Sequence, residues 1–299
     1  MTPTAVTTVE PATIDPLAPA PRGTWFGQGV SVSRRIGPHH AHTDTSWVCT
    51  PRFCARRRGG LLSVVHNLTP DELNDELTTL LVGEFADTTV LRGRSDFEMV
   101  FTGVVRSTVD GGLPAWLRFY RNSMAMLEGG NTAFAPIHER AAGLITGPTL
   151  VDLGSCFGFF PLRAAAHGID VVATDLSEPT MRLLAAVSDR MCRPLRTLSC
   201  DATRVPLPDG VATTVTALHL VEHLTPAQTD AVIEEALRLA RCRVVIAVPF
   251  EEEPTACYGH VQRFDLDTLR GVGERIKRAH PSVRVSVQEF HGGWLVLDR

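Results

Sequence analysis

The sequence predicts an α/β protein: an open, doubly wound sheet with an antiparallel terminal strand, preceded by an N-terminal cap region. Three observations predict it. From Thr149 onward, apolar runs of strand length alternate with helical segments, the pattern of parallel βαβ units. The first run, Val151-Asp152-Leu153, opens into a turn from Gly154 to Gly158 that leads into a helix. At the C-terminus, residues 282–290 and 294–297 are both strand-like, with His291-Gly292-Gly293 between them. That spacing closes a hairpin but is too short for a parallel crossover, so the last strand should run antiparallel to its neighbours.

The elements follow in order. Residues 1–23 hold Pro3, Pro11, Pro16, Pro19 and Pro21 and no basic residue before Arg22, so they read as a disordered tail rather than a targeting signal. Residues 24–112 form a region without clear repeats, expected to cap the acceptor side of the cleft. Within it, Thr69-Pro70-Asp71-Glu72 combines an N-cap, an early proline and early acids, predicting a helix to about Leu81. The main domain is expected over 113–299. It begins with a helix over 114–127, stopped by Gly129-Gly130, and another over 133–144. Strands are predicted over 149–153, 170–174, 195–199, 214–218 and 243–248, with helices through His167 and over 179–190. Thr225-Pro226-Ala227-Gln228 has the reciprocal capping pattern and opens a further helix to Leu239.

Composition narrows the function classes. Of 299 residues, 44% are apolar and 21% charged, which excludes a wholly disordered, collagen-like or coiled-coil chain. No run approaches the roughly 20 apolar residues of a membrane span. The net charge of −4 is spread along the chain, so neither nucleic acid nor a membrane is an expected partner. Arg56-Arg57-Arg58 reads as a solvated turn. Lys277 is the sole lysine among many arginines, a compositional bias that discourages reading single arginines as phosphate clamps. Seven cysteines without a paired framework predict free thiols in a reducing compartment, the cytoplasm.

In an open α/β sheet, ligands bind outside the carboxyl ends of the strands, at the switch point beside the first. Here that place holds Val151-Asp152-Leu153-Gly154-Ser155-Cys156-Phe157-Gly158, with Gly154 for the tight turn and Gly158 for close approach. Asp175 closes the next strand, where a carboxylate can accept from both ribose hydroxyls of a nucleoside. A nicotinamide dinucleotide or S-adenosylmethionine would satisfy both features. A pyrophosphate favours G-x-G-x-x-G, but Cys156 and Phe159 stand at its second and third glycines. That spelling and the terminal hairpin favour the adenosylmethionine.

The ordered set of Val151 to Gly158, Thr174-Asp175-Leu176-Ser177, Cys200-Asp201-Ala202-Thr203 with Leu207-Pro208-Asp209-Gly210, Leu218 to Leu224, and Gly259-His260-Val261-Gln262-Arg263-Phe264 resembles the class I S-adenosylmethionine-dependent methyltransferases. The resemblance covers residues 149 to about 265 and implies their Rossmann-like sheet. It implies that Asp152, Gly154, Ser155 and Gly158 lie at the methionine end of the cofactor. Asp175 would hold the ribose, Asp201 would take the adenine amino group with Ala202 beside it, and His219 would line the cofactor and acceptor cavity. Cys156 departs from the family, which prefers glycine there. The whole chain, including Ser31-Val32-Ser33-Arg34-Arg35 and His39 to Cys54, is similar to the mycofactocin oligosaccharide methyltransferases. That likeness implies an oligosaccharide acceptor, methylated on a glucose hydroxyl.

A sugar hydroxyl is a poor nucleophile and needs a base or a metal. His219, Glu222 and His223 have H-x-x-E-H spacing after the fourth strand. They read as general base, as ligands of a divalent cation, or as a structural turn. Glu251-Glu252-Glu253 is an exposed acidic loop or a metal or sugar contact, and His260 and Arg263 could close over the acceptor. Trp116, Phe119 and Tyr120, on one helical face, are core or a platform for a sugar ring. His39, His40, His42, Asp44, Cys49 and Cys54 read as a polar loop more readily than as a zinc site. Competing functions are methylation of a phenol, amine or carboxylate, a nicotinamide oxidoreductase, and a non-catalytic adenosylmethionine sensor.

Overall fold

The computed structural model describes residues 14–37, 44, 46–85, 88–253 and 259–299. Strands β1 (Thr24–Gly27), β2 (Val30–Arg34), β3 (Val48–Cys49), β4 (Phe53–Arg58) and β5 (Leu61–His66) form one sheet in the order β1-β2-β5-β4-β3. In β2 and β5 buried positions alternate with half-buried ones, the buried side chains including Val30, Val32, Leu62 and Val64. The pairing of β2 with β5 is parallel and the other pairings are antiparallel. Helices α1 (Leu77–Phe85), α2 (Arg94–Thr108), α3 (Gly112–Glu128) and α4 (Ala135–Leu144) follow. Helix α2 is buried at Phe97 and at every position from Met99 to Thr108, packed on β1 and β2 and on α3.

The second sheet contains β6 (Thr149–Leu153), β7 (Asp170–Asp175), β8 (Arg196–Ser199), β9 (Ala212–Leu218), β10 (Ala240–Val248), β11 (Arg284–Glu289) and β12 (Gly293–Asp298). Its order is β11-β12-β10-β9-β6-β7-β8. Helices α5 (Phe159–Ala166), α6 (Glu178–Arg190), α7 (Pro226–Leu239) and α8 (Leu266–Ala279) cover its faces. Strand β12 runs antiparallel to both β10 and β11, as the short hairpin linker requires. The order reverses at β6, which lies between β7 and β9 and so sets the switch-point crevice. The reciprocal cap at Thr225 and Gln228 opens α7 as expected.

One apolar core runs from Trp25 through α2 and α3 to Leu162, Ala173 and Val187, so the expected division at residue 112 is not a gap in packing. Trp116, Phe119 and Tyr120 are fully buried in it and form no exposed platform. Their rings surround Phe157 of the glycine turn, at 5.6, 5.5 and 6.2 Å between centroids. These rings thereby anchor the glycine turn, with aromatic pairs worth roughly 0.5–1.5 kcal/mol each beyond their burial.

Several expectations need correction. Residues 14–23 are packed rather than free: the Pro16 carbonyl accepts from Arg106 Nη1 (2.6 Å) and Trp116 Nε1 (2.8 Å). The continuous helix expected after Thr69 is a short 3-10 turn at Pro70–Glu72, then a break before α1. Asn122 Nδ2 donates to the carbonyls of Pro70 and Leu73 (2.9 and 2.8 Å), diverting acceptors that a continuing helix would have used. Against the expectation of free thiols throughout, Cys49 and Cys54 are joined in a disulfide, because the β3–β4 hairpin sets them directly opposite each other with Cα atoms 4.1 Å apart. They are therefore not zinc ligands, and Asp44 accepts from the Ser46 N–H and hydroxyl instead. His39, His40 and His42 lie outside the described residues. Arg57 is no solvated turn residue: it pairs with Asp96 of α2. Among the described residues, no helix is long and apolar enough to cross a membrane.

Candidate active site

The site is assembled at the carboxyl edge of β6 to β10. Asp152 and Thr216 are register partners on β6 and β9, and the Thr216 hydroxyl donates to Asp152 Oδ1. Asp152 is 4% exposed, and burial lifts its pKa to about 6, against the lowering hydrogen bonds from Thr216 and Ser155. Gly154 and Gly158 both have left-handed backbone, at φ +67° and +70°. A β-carbon on Gly154 would strike Leu220, and one on Gly158 would strike Leu184 of α6. Gly158 therefore serves close packing of the turn on a helix. Ser155 is held by the strands: its N–H donates to the Thr174 carbonyl (2.8 Å) and its hydroxyl to the Asp152 carbonyl (3.1 Å).

Asp175 ties this turn to β7. Its Oδ2 accepts from the Cys156 N–H and its Oδ1 from the Ser177 N–H, both at 2.9 Å. Each carboxylate oxygen retains further lone-pair capacity. Leu176, next in the chain, is 78% exposed, a large apolar side chain held out between two turn residues. In the sequence its signal is a single leucine between the polar residues Asp175 and Ser177. Asp201 follows β8 and is exposed, with Oδ1 accepting from Thr203 N–H and hydroxyl at 2.8 Å, and Ala202 is half-buried beside it.

Cys156 has φ +48°, a left-handed conformation that costs a residue with a β-carbon roughly 1–2 kcal/mol. That explains the glycine expected there. Cys156→Gly should raise the unfolding free energy by about 1 kcal/mol, once the greater chain entropy of unfolded glycine is deducted. A urea midpoint at or below that of the parent chain would contradict this account.

His219 ends β9, also left-handed at φ +55°, with its N–H donating to the Ala247 carbonyl (2.9 Å). Strained non-glycine backbone of this kind gathers at functional sites. Its Nδ1 lies 3.3 Å from Glu222 Oε1, and its ring meets Phe134 edge-on at 5.3 Å. Glu222 and His223 occupy a short 3-10 turn, Val221–His223. Burial lowers the His223 pKa, opposed by the nearby Glu222. The backbone N–H groups of Val261 and Gln262 donate to the Glu222 carbonyl at 2.9 and 3.3 Å. Gln262 Nε2 adds bonds to the Val221 carbonyl and Thr229 hydroxyl, both 2.7 Å. These bonds bring His260 edge-on to His223, with ring centroids 4.8 Å apart. Among the described residues, the three-residue grouping capable of holding a cation is therefore Glu222, His223 and His260, and His219 is not part of it. Glu251 pairs with His260, Glu252 and Glu253 are exposed, and Arg263 is engaged locally with Asp265 and the Glu252 carbonyl.

The site contains a left-handed turn under the first strand, carboxylates at the ends of β6, β7 and after β8, and a strand order that reverses beside them. Residues 151–247, about a third of the chain, match the family described as methyltransferase domain. These residues carry a methyltransferase domain. Asp175 and Asp201 each keep acceptor capacity toward hydroxyl and amino donors, which fits the nucleoside end of S-adenosylmethionine. No curated protein matches the chain.

Among solved structures, the chain is similar to a SAM-dependent methyltransferase from Aquifex aeolicus, at 16% identity and TM-score 0.42, over 59% of this chain and 97% of that one. It is similar to one from Archaeoglobus fulgidus at 15% identity and TM-score 0.46, over 60% and 96% of the two chains. A third is magnesium protoporphyrin IX methyltransferase from Synechocystis PCC 6803, at 14% identity and TM-score 0.41, over 61% and 84%.

Proposed function

We propose that the chain methylates a hydroxyl of a carbohydrate acceptor, a glucose of the mycofactocin oligosaccharide being the acceptor that its sequence resemblance implies. The observation that carries the sugar reading is Phe134. It precedes α4, is 38% exposed, and stands against His219 at the strand edge. An exposed aromatic face beside a candidate base offers the apolar face of a pyranose a platform while its hydroxyl reaches the imidazole. The cap region forms part of the same edge, since Arg94, the first residue of α2, lies against Gly259 next to His260.

In this reading His219 accepts the proton of the attacking hydroxyl. Glu222, buried 3.3 Å from its Nδ1, stabilises the imidazolium that forms. His223 and Glu222 complete the catalytic group. Asp152, Gly154, Ser155, Gly158, Asp175, Asp201 and Ala202 hold the cofactor, and His219 lies between it and the acceptor. Bound S-adenosylmethionine would supply an activated methyl group for transfer to the acceptor oxygen. The chain's own contribution is to orient the hydroxyl in line and to keep water out. We place the reaction in the cytoplasm with no nucleic-acid partner; the free thiols Cys156, Cys192, Cys200 and Cys242 favour a reducing compartment, and the Cys49–Cys54 disulfide counts against it.

Transfer of labelled methyl to glucosides, β-glucan oligosaccharides, phenols and amines tests it. Glucosides should be labelled, and Phe134→Ala should raise their KM about five- to tenfold with kcat largely retained, the size of a lost aromatic contact. Labelling confined to phenols or amines would sink the sugar assignment.

A further inference from the structure

We propose that Glu222, His223 and His260 bind one divalent cation of the zinc, iron(II) or manganese kind. One ligand atom from each lies within 4.8 Å of the others, so small side-chain rotations bring all three onto a common ion. The second observation is the state of Glu222. It is 1% exposed, and among the described residues neither carboxylate oxygen has a hydrogen-bond donor. The 3.3 Å approach of His219 Nδ1 is an ion-pair distance without hydrogen-bond geometry. A buried carboxylate in that condition calls for a positive partner.

The two imidazoles are arranged as ligands. His223 Nδ1 faces the Gly259 carbonyl at 3.3 Å, and His260 Nδ1 faces Glu251 Oε2 at 2.7 Å. A proton on each Nδ1 donates to these acceptors and puts the ring's lone pair on Nε2, as second-shell partners of metal-binding histidines do. The hydrogen bonds of Val261 and Gln262 to the Glu222 carbonyl fix the two ligand-bearing segments against each other. Two imidazoles and one carboxylate suit zinc or iron(II) better than magnesium or calcium, which prefer all-oxygen shells. Three protein ligands leave coordination positions open. The site itself stands on this geometry; its role, to lower the pKa of an acceptor hydroxyl beside His219, rests on the O-methyltransferase reading.

The test uses the full-length chain, treated with EDTA, dialysed and titrated with Co²⁺ as the probe, read by visible d–d absorption and calorimetry. The expected result is one saturable Co²⁺ per chain. Glu222→Gln and His260→Asn should weaken it by about 100-fold, and Glu251→Gln by about tenfold, as for an outer-shell partner. His219→Asn should leave Co²⁺ affinity in place, which the original H-x-x-E-H grouping would not allow. Circular dichroism checks each variant's fold, and His260→Asn carries the test if Glu222→Gln does not fold. Absence of saturable Co²⁺ binding, or binding that survives both Glu222→Gln and His260→Asn, would overturn the site, even if glucosides are methylated. Co²⁺ binding with the expected variant pattern but no glucoside labelling would uphold the site and sink the acceptor reading instead.

Discussion

Asp175→Ala is expected to weaken S-adenosylmethionine binding by about 100-fold, the worth of two charge-assisted hydrogen bonds after partial compensation by water. The carboxylate does two jobs at once. Toward the protein it receives the N–H groups of Cys156 and Ser177, one from each turn that borders the cofactor crevice. Toward the crevice it keeps lone pairs, which the proposed cofactor site assigns to the ribose hydroxyls. Removing it frees the left-handed Cys156 turn as well as deleting these proposed contacts, so both affinity and turn order should fall. Calorimetric titration with S-adenosylmethionine reads the first, and hydrogen exchange of the Cys156 and Ser177 amides reads the second. An unchanged dissociation constant would remove Asp175 from the cofactor site.

His66→Gln is expected to cost stability near neutral pH and to lose that penalty, then reverse it, as the pH falls. His66 is fully buried in the cap region. The Leu68 N–H donates to its Nδ1 (3.2 Å), so the neutral ring carries its proton on Nε2 and donates to Ser107 Oγ (2.8 Å). The Ser107 hydroxyl in turn donates to the Gly103 carbonyl (2.7 Å). Burial, with the Arg34 and Arg52 charges, pushes the folded pKa down to about 3. The unfolded histidine still protonates near its ordinary 6.5. Stability gained by the neutral ring is thus fully present above pH 6.5 and is lost as the pH falls toward about 3, at roughly 1.4 kcal/mol per unit.

Between pH 6.5 and 4.5 the parent chain should therefore lose about 2–3 kcal/mol relative to the variant. Urea unfolding at several pH values measures this difference, and a constant difference would refute it. The comparison with a variant is needed because total stability hides the effect. His138, also buried and lowered to about 3, adds to the acid loss. Asp75 and Asp152, both raised to about 6 by burial, take up protons in the folded state first and gain stability as the pH falls from about 6 to 3.8. The opposing pairs flatten the overall curve.

The parts of the fold legible in the sequence are those encoded over short spans. Alternating strand and helix runs predict the central sheet because each βαβ unit closes within about 30 residues. The terminal hairpin follows from His291-Gly292-Gly293, and the α7 start from Thr225 and Gln228. Helix α2 escaped because it is buried on nearly all sides and so shows no one-sided periodicity. The parallel pairing of β2 with β5 escaped because it joins segments on either side of β3 and β4. The burial of Trp116, Phe119 and Tyr120 was open on spacing alone, since core and platform share helical spacing; packing around Phe157 decided it.

The sequence by itself determined the α/β class, the glycine turn and the acidic residues spaced to reach a nucleoside, since each depends on backbone rules acting within a few residues. Only the tertiary structure decided which histidine stands with Glu222 and His223. His219 is nearer in the chain, but it has a left-handed backbone and its ring meets Phe134 instead of joining the grouping. His260 is brought in from the loop after β10 by hydrogen bonds to the Glu222 carbonyl. Contacts of that kind depend on where two distant segments meet, and side-chain spacing along one segment carries no record of it.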